Sequence, residues 1–108
     1  MSAGAVPMKS ASQLHTMEEL RVEIDALDGE LVAMLAARSR LIDRAAEIKQ
    51  GNGWPARIPD RVEEVVRKVR AKADAAGLDG DLAERLWREM MEHFIAQEEL
   101  VLGKGDNT

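Results

Sequence analysis

The stretch that decides the fold is residues 17–49, MEELRVEIDALDGELVAMLAARSRLIDRAAEIK. Its apolar residues Leu20, Ile24, Leu27, Leu31, Met34, Leu35, Leu41, Ile42, Ala45 and Ile48 recur at helical spacing for about eight turns. No proline interrupts the run, and its one glycine, Gly29, lies off the apolar stripe. Just ahead, Thr16-Met17-Glu18-Glu19 has the spacing of a capping box, with Thr16 as N-cap and Glu19 at N3. The pattern predicts one helix from about Met17 to Lys49, roughly 50 Å long at about 1.5 Å per residue.

Beyond it, Gln50-Gly51-Asn52-Gly53-Trp54-Pro55 is a strong loop signal. Pro59 suits the first position of a second helix, with Val62, Val65, Val66, Val69, Ala73 and Ala76 as its apolar face and Gly77 as its C-terminal cap. Asp79 or Asp81 can cap a third helix, whose apolar residues are Leu82, Leu86, Trp87, Met90, Met91, Phe94, Ile95 and Val101. Gly103 ends it. β-branched residues are scattered and suggest no strand. The fold class is all-α, with one long helix and two shorter ones. Residues 1–15, small and polar with Pro7, read as a disordered lead-in. Residues 16–103 read as one helical domain, and 104–108 as a frayed tail.

Composition narrows the function. A chain of 108 residues argues for one domain, and 45% hydrophobic with 32% charged residues is a folded composition. The net charge of −5 argues against nonspecific nucleic-acid binding, which needs a basic surface. With no cysteine, disulfides, thiolate catalysis and Cys-ligated zinc are excluded. His15 and His93 lie too far apart to form a local two-histidine metal site. No apolar run approaches the roughly 18 residues of a membrane span. The start, MSAGAVPMKSASQLH, does not read as a secretory signal, so a cytoplasmic location is expected.

A helix of such length outruns what two shorter helices can cover in a globule with a radius of gyration of about 13 Å. The uncovered stripe needs a partner, and a two-fold homodimer is the commonest solution. Pattern alone leaves open whether that dimer encloses a site or is a coiled coil without one.

The charges that break the pattern bear on this. Ile24, Leu31, Arg38 and Ala45 step by sevens along one stripe, so Arg38 interrupts it in mid-helix. Lys49 follows Arg38 by 11 residues, about three turns, and points the same way roughly 16 Å along the axis. Glu98 shares the stripe of Phe94 and Val101 on the third helix. Snorkelling to water, or pairing of Arg38 with an acid, would explain any one such charge. Three on core-facing stripes, beside the small residues Ala36, Ala37, Ala45 and Ala46, leave room for a dianionic ligand between helices. Arg21 lies roughly 25 Å before Arg38 along the helix. It can reach the same site only from a second, antiparallel chain. Arg57 and Arg61 are further candidates. Trp54 is expected to pack the loop onto a helix, and His93 to sit at the edge of the third.

These residues fall in motifs that resemble the all-helical chorismate mutases, including the related isochorismate pyruvate-lyases. The motifs are Leu20-Arg21-Val22-Glu23-Ile24-Asp25-Ala26-Leu27-Asp28, Leu35-Ala36-Ala37-Arg38, Glu47-Ile48-Lys49, Pro59-Asp60-Arg61-Val62 and Gly77-Leu78-Asp79. The likeness covers residues 17–102. It implies an intertwined homodimer of three-helix chains with two equivalent sites. It also implies an isomerase of aromatic amino-acid biosynthesis that needs no cofactor and converts chorismate to prephenate. By the same resemblance Arg21, given across the dimer, and Arg38 hold the two substrate carboxylates. Lys49 reaches the ether oxygen and a carboxylate, and Arg61, Ile58 and Val62 line the site.

Two positions depart from the usual family pattern. Glu98 stands where many members carry a glutamine that donates to the ether oxygen. An ionised carboxylate cannot donate, so this role requires protonation and implies a preference for mildly acidic pH. The competing reading is an acid that simply neutralises Lys49, with the adjacent Gln97 as donor. Val62 stands where typical mutases have a glutamate that binds the ring hydroxyl. An apolar residue there looks like the lyases, as do Glu92-His93-Phe94-Ile95-Ala96 and the Ile58-Pro59 entry to the second helix. The alternatives are therefore an isochorismate pyruvate-lyase forming salicylate, a mutase of 4-amino-4-deoxychorismate, or a non-catalytic helical dimer that binds or regulates another protein.

Overall fold

A computed structural model describes residues 10–103. Three α-helices follow a short 3-10 turn at Ala11–Gln13: α1 (Met17–Asn52), α2 (Pro59–Ala76) and α3 (Gly80–Leu102). Residues 1–9 of the expected lead-in and 104–108 of the expected tail lie outside the described residues.

The capping box opens α1 as expected. The Glu19 amide donates to Thr16 Oγ1 at 3.1 Å, and the Thr16 amide donates to Glu19 Oε1 at 3.1 Å. The other end runs three residues past the sequence expectation, through Gly51 to Asn52. Of Gly51 and Gly53, only Gly53 adopts a left-handed conformation, at φ 72°. There the Trp54 amide donates to the Lys49 carbonyl at 2.9 Å and the Gly53 amide to Gln50 at 3.4 Å. This Schellman closure needs glycine only at the left-handed position, so Gly51 can remain helical. The same device ends α2. Gly77 has φ 78°, and the Leu78 amide donates to Ala73 at 2.8 Å. Asp79 caps α3, accepting from the Asp81 amide.

The chain divides into two units, one up to Arg40 and one from Leu41 onward. In the first, the amino-terminal part of α1 leaves apolar side chains open. Ile24, Leu31, Met34 and Leu35 all stay more than 40% exposed, whereas Leu20 and Leu27 are half-buried. In the second, α2 packs on α3 around Val69, Ala73 and Ala83, flanked by Val65 and Trp87. Ala83 is the most buried residue of that core. A methyl group there lets the two helices approach closely. Leu86 and Val101, expected on the core face of α3, are exposed instead. The buried residues of α3 are Ala83, Met91, Ile95 and Glu98; Ala83 packs on α2, and Glu98 meets Lys49 at the end of α1.

Outside that core a ladder of charges ties α2 to α3. Arg70 on α2 bonds Asp81 at 2.9 Å and Glu84 at 2.7 Å. Glu84 accepts from Arg88 at 2.7 Å, and Arg88 reaches back to Glu63 on α2 at 2.9 Å. Among the described residues, no helix is long and apolar enough to cross a membrane.

Candidate active site

The site is built around Lys49, in the last turn of α1. A cation suits that position because unsatisfied carbonyls give a helix C-terminus a partial negative charge. The Schellman closure bonds the Lys49 carbonyl and fixes where its side chain starts. Its ammonium donates to Glu98 Oε1 at 2.7 Å, to Oε2 at 3.3 Å, and to the Ala56 carbonyl at 2.8 Å. Glu98 on α3 is 5% exposed, and it is the charged residue buried with the core. Lys49 is also largely enclosed, with its side chain 17% exposed. An ammonium has three donors. Two of its directions are thus set by α3 and the loop after α1.

That loop is held at both ends. Ala56 is 3% exposed, and Arg57 makes two parallel bonds to Glu92 on α3, at 2.8 and 2.6 Å. Each partner acts on the other's proton. The Glu92 carboxylate raises the Arg57 pKa, and Arg57 holds the Glu92 carboxyl below the usual range. Ile58 is extended and half-buried, and Pro59 opens α2 with Asp60 in its first turn. A recess of about 280 Å³ lies between Lys49, Gln50, Gly53, Trp54 and Pro55 on one side and Val101 and Leu102 on the other. Trp54 is 55% exposed on its wall rather than packed into a helix.

The structure brings Lys49 and Glu98 together. Gln97, the competing donor, is turned elsewhere: its amide donates to Asp43 on α1 at 2.7 Å. Arg61 is exposed on the first turn of α2 and pairs with Glu64 at 2.9 Å. Val62, beside it, is half-buried. Arg21 is exposed and Arg38 half-buried, both in the first unit of the chain. Arg57, a candidate substrate cation from sequence, is committed to Glu92. His93 is exposed and stacks edge-on against Phe94, with ring centroids 5.1 Å apart. Sequence reasoning missed the Ala56 carbonyl, a backbone acceptor with no side-chain signature. It also missed Glu92, one of many acids on an exposed helix face.

In chemical terms, a largely enclosed ammonium beside a buried carboxyl group and an open recess can place positive charge, and a proton donor when the acid is protonated, against an oxygen that gains negative charge. Comparison with known proteins gives this arrangement a setting. The T-protein of Haemophilus influenzae is 33% identical over 87 residues, 81% of this chain and 23% of that protein. The chain thus spans less than a quarter of that relative's length. The chorismate mutase of Methanocaldococcus jannaschii is 24% identical over 94 residues, 87% of this chain and 95% of that protein. The 4-amino-4-deoxychorismate mutase of Streptomyces venezuelae is 30% identical over 93 residues, 86% of this chain and 90% of that protein. No solved structure matches at a significant level. The family model for chorismate mutase type II matches residues 20–99, from the first turns of α1 to the residue after Glu98, and on that match the chain belongs to the chorismate mutase type II family, a family of isomerases.

Proposed function

We propose that this chain is a chorismate mutase that works as a homodimer in the cytoplasm, with each site assembled from two chains. The observation that carries the reading is the buried Lys49–Glu98 pair, at 2.7 Å, in a chain of this family. A buried ion pair is a weak source of stability, because desolvation offsets much of its attraction. Its presence is better explained by use.

In the proposed reaction the ether C–O bond of chorismate breaks as a new C–C bond forms, in one concerted shift. No nucleophile is needed. The chain must hold the dianion in its reactive shape and stabilise the charge that grows on the ether oxygen. Arg38 and the partner's Arg21 would grip the carboxylates, for which planar guanidinium forks are suited. Lys49, keeping its bond to the Ala56 carbonyl, would turn its other donors to the ether oxygen and a carboxylate, and a protonated Glu98 would donate to the same oxygen. Arg61 would exchange its exposed bond to Glu64 for the substrate, with Ile58 and Val62 beside the ring. The open stripe of Ile24, Leu31, Met34 and Leu35 supports dimerisation, since contiguous apolar surface of this kind calls for a partner.

Val62 favours a second reading. A half-buried apolar side chain at the start of α2 offers no partner to a ring hydroxyl, so the ring substituent is where substrate choice opens. Isochorismate, with loss of pyruvate to leave salicylate, and 4-amino-4-deoxychorismate are the two alternatives.

Incubation of the purified chain with each of the three compounds tests the reading. Loss of chorismate absorbance without salicylate fluorescence is the expected result. Salicylate formed from isochorismate selects the lyase, and turnover of the amino compound alone selects that mutase. No turnover of any of them leaves a helical binding or regulatory dimer and ends the proposal.

A further inference from the structure

We propose that Arg57 and Glu92 form a positioning clamp that aims the Lys49 ammonium through the carbonyl of Ala56, the residue before Arg57. The inference rests on the reading of Lys49 as the cation at the breaking C–O bond, and adds to it the device that sets its direction.

A lysine ammonium sits on a flexible four-carbon stem with three rotatable donors and has no built-in orientation. Whatever accepts its hydrogen bonds must aim it. One acceptor, Glu98, is on α3, where the helix fixes its backbone. The other is the Ala56 carbonyl, at 2.8 Å. Ala56 belongs to no helix: α1 closes at Asn52 and α2 opens at Pro59. The position of its carbonyl therefore depends on what holds the loop.

The next residue supplies that hold. Both terminal nitrogens of Arg57 meet both carboxylate oxygens of Glu92, at 2.8 and 2.6 Å. A two-point fork of this kind fixes orientation as well as distance. Glu92 is on α3, the helix that carries Glu98. Both acceptors of the ammonium are thereby referenced to one rigid element, Glu98 directly and Ala56 by way of Arg57. Each clamp partner also stabilises the other's charged form, raising the Arg57 pKa and lowering that of Glu92.

The Arg57 and Glu92 side chains are 45% and 58% exposed, so solvent screens their charges, and the two-point geometry is what ties Arg57 to α3. The fork bridges 35 residues of sequence next to the loop carbonyl that Lys49 touches, which places it to position that carbonyl.

The test compares Glu92→Ala, Arg57→Ala and the swapped pair Arg57→Glu/Glu92→Arg with the unchanged protein. Arg44→Ala, which removes an exposed pair on α1, is the control. Two quantities are read: kcat and KM for chorismate, and the rate at which the Lys49 ammonium protons exchange with water in ligand-free protein, by NMR. In each single variant we expect kcat to fall roughly ten-fold, short of the roughly 10²-fold that a 1 Å misplacement can cost. KM should rise by less than kcat falls, because Lys49 shares its carboxylate with the arginines, whereas its bond to the ether oxygen strengthens in the transition state. Ammonium exchange should quicken, the swapped pair should restore both quantities, and Arg44→Ala should move neither. Unchanged kcat with unchanged exchange, a loss confined to KM, or a loss that the swapped pair does not restore would overturn the clamp. If the unchanged protein turns over no chorismate, the mutase reading fails by itself, and the exchange rates still decide whether Arg57 and Glu92 aim Lys49.

Discussion

The Glu98 carboxylate lies 2.7 Å from the Lys49 ammonium, joining the end of α1 to α3 across 49 residues of sequence in a place where both side chains are largely shut off from water. Removing only the cation leaves a buried acid without its partner, a change that typically costs about 3–5 kcal/mol. Lys49→Met should therefore lower stability by that order in urea unfolding. Lys49→Met/Glu98→Leu should recover most of the loss, because a fitted apolar pair needs no desolvation. Both variants should lose chorismate turnover by roughly 10²–10³-fold, the range for losing a preorganised donor. Stability and activity should thus part company in the double variant. A double variant as unstable as the single one would mean that packing, not charge, sets the cost.

The same pair makes an expectation about pH. Glu98 can donate to an oxygen only when it carries a proton, and a glutamine side chain donates at any pH. The rate of the native protein should fall relative to that of Glu98→Gln as pH rises across the assay range, because glutamine donates throughout. Initial rates with chorismate in a buffer series of constant ionic strength measure this. A native rate that is level or rising relative to that of Glu98→Gln over the same range would remove Glu98 from the donor role and leave it as the acid that neutralises Lys49.

That choice shows how far the sequence reaches. Glu98 was recognisable because its place on α3 breaks an apolar stripe, and a break of that kind survives small errors of phase. The stripe itself was read with Val101 on it, but Val101 is exposed while Ile95 and Met91 are buried with Glu98. Near the end of a helix, residues three and four positions away compete for one face, and only the neighbouring helix decides between them. The start of α1 was legible because Thr16 and Glu19 bond each other's backbone locally. Its end was not, because glycine signals a left-handed turn without saying which of two nearby glycines makes it. The Ala56 carbonyl and the Arg57–Glu92 fork were out of reach altogether. One is a backbone atom, and the other joins two ordinary surface charges that only the folded chain brings together.

The ladder between α2 and α3 predicts an acid limit to stability. Hydrogen bonds from Arg88 and Arg70 lower the Glu84 pKa, and Arg88 does the same to Glu63. A group whose pKa is lower folded than unfolded stabilises the fold above the unfolded value, and that contribution is lost as pH falls through the folded value. The window therefore opens near the ordinary glutamate value of 4.5 and extends downward. The melting temperature should drop as pH falls through this window. Glu84→Gln, which cannot titrate, should start slightly lower at neutral pH and show a shallower drop. Thermal melts followed by circular dichroism across the acid range measure both slopes. Equal slopes would mean that other carboxylates govern acid unfolding.

The proposal that Arg21 serves the partner's site has a direct test by complementation. Arg21→Ala removes the cation that a chain gives away, and Lys49→Met removes one that it keeps. Each homodimer should be nearly inactive, because every site in it lacks one group. In a mixed dimer one site draws its Lys49 from the Arg21→Ala chain and its Arg21 from the Lys49→Met chain, and is whole. The other site lacks both. Random pairing of equal amounts makes half the dimers mixed, with one of two sites intact, so activity should return to about a quarter of the native value. Co-refolding the two variants and assaying chorismate turnover against the unmixed proteins measures this recovery. Adding Leu31→Glu to both chains should abolish it, since Leu31 lies on the open apolar stripe and a charge there opposes pairing. Recovery is possible only if the two groups act from different chains. An Arg21→Ala protein that is fully active alone, or a mixture no better than its parts, would place Arg21 outside the site.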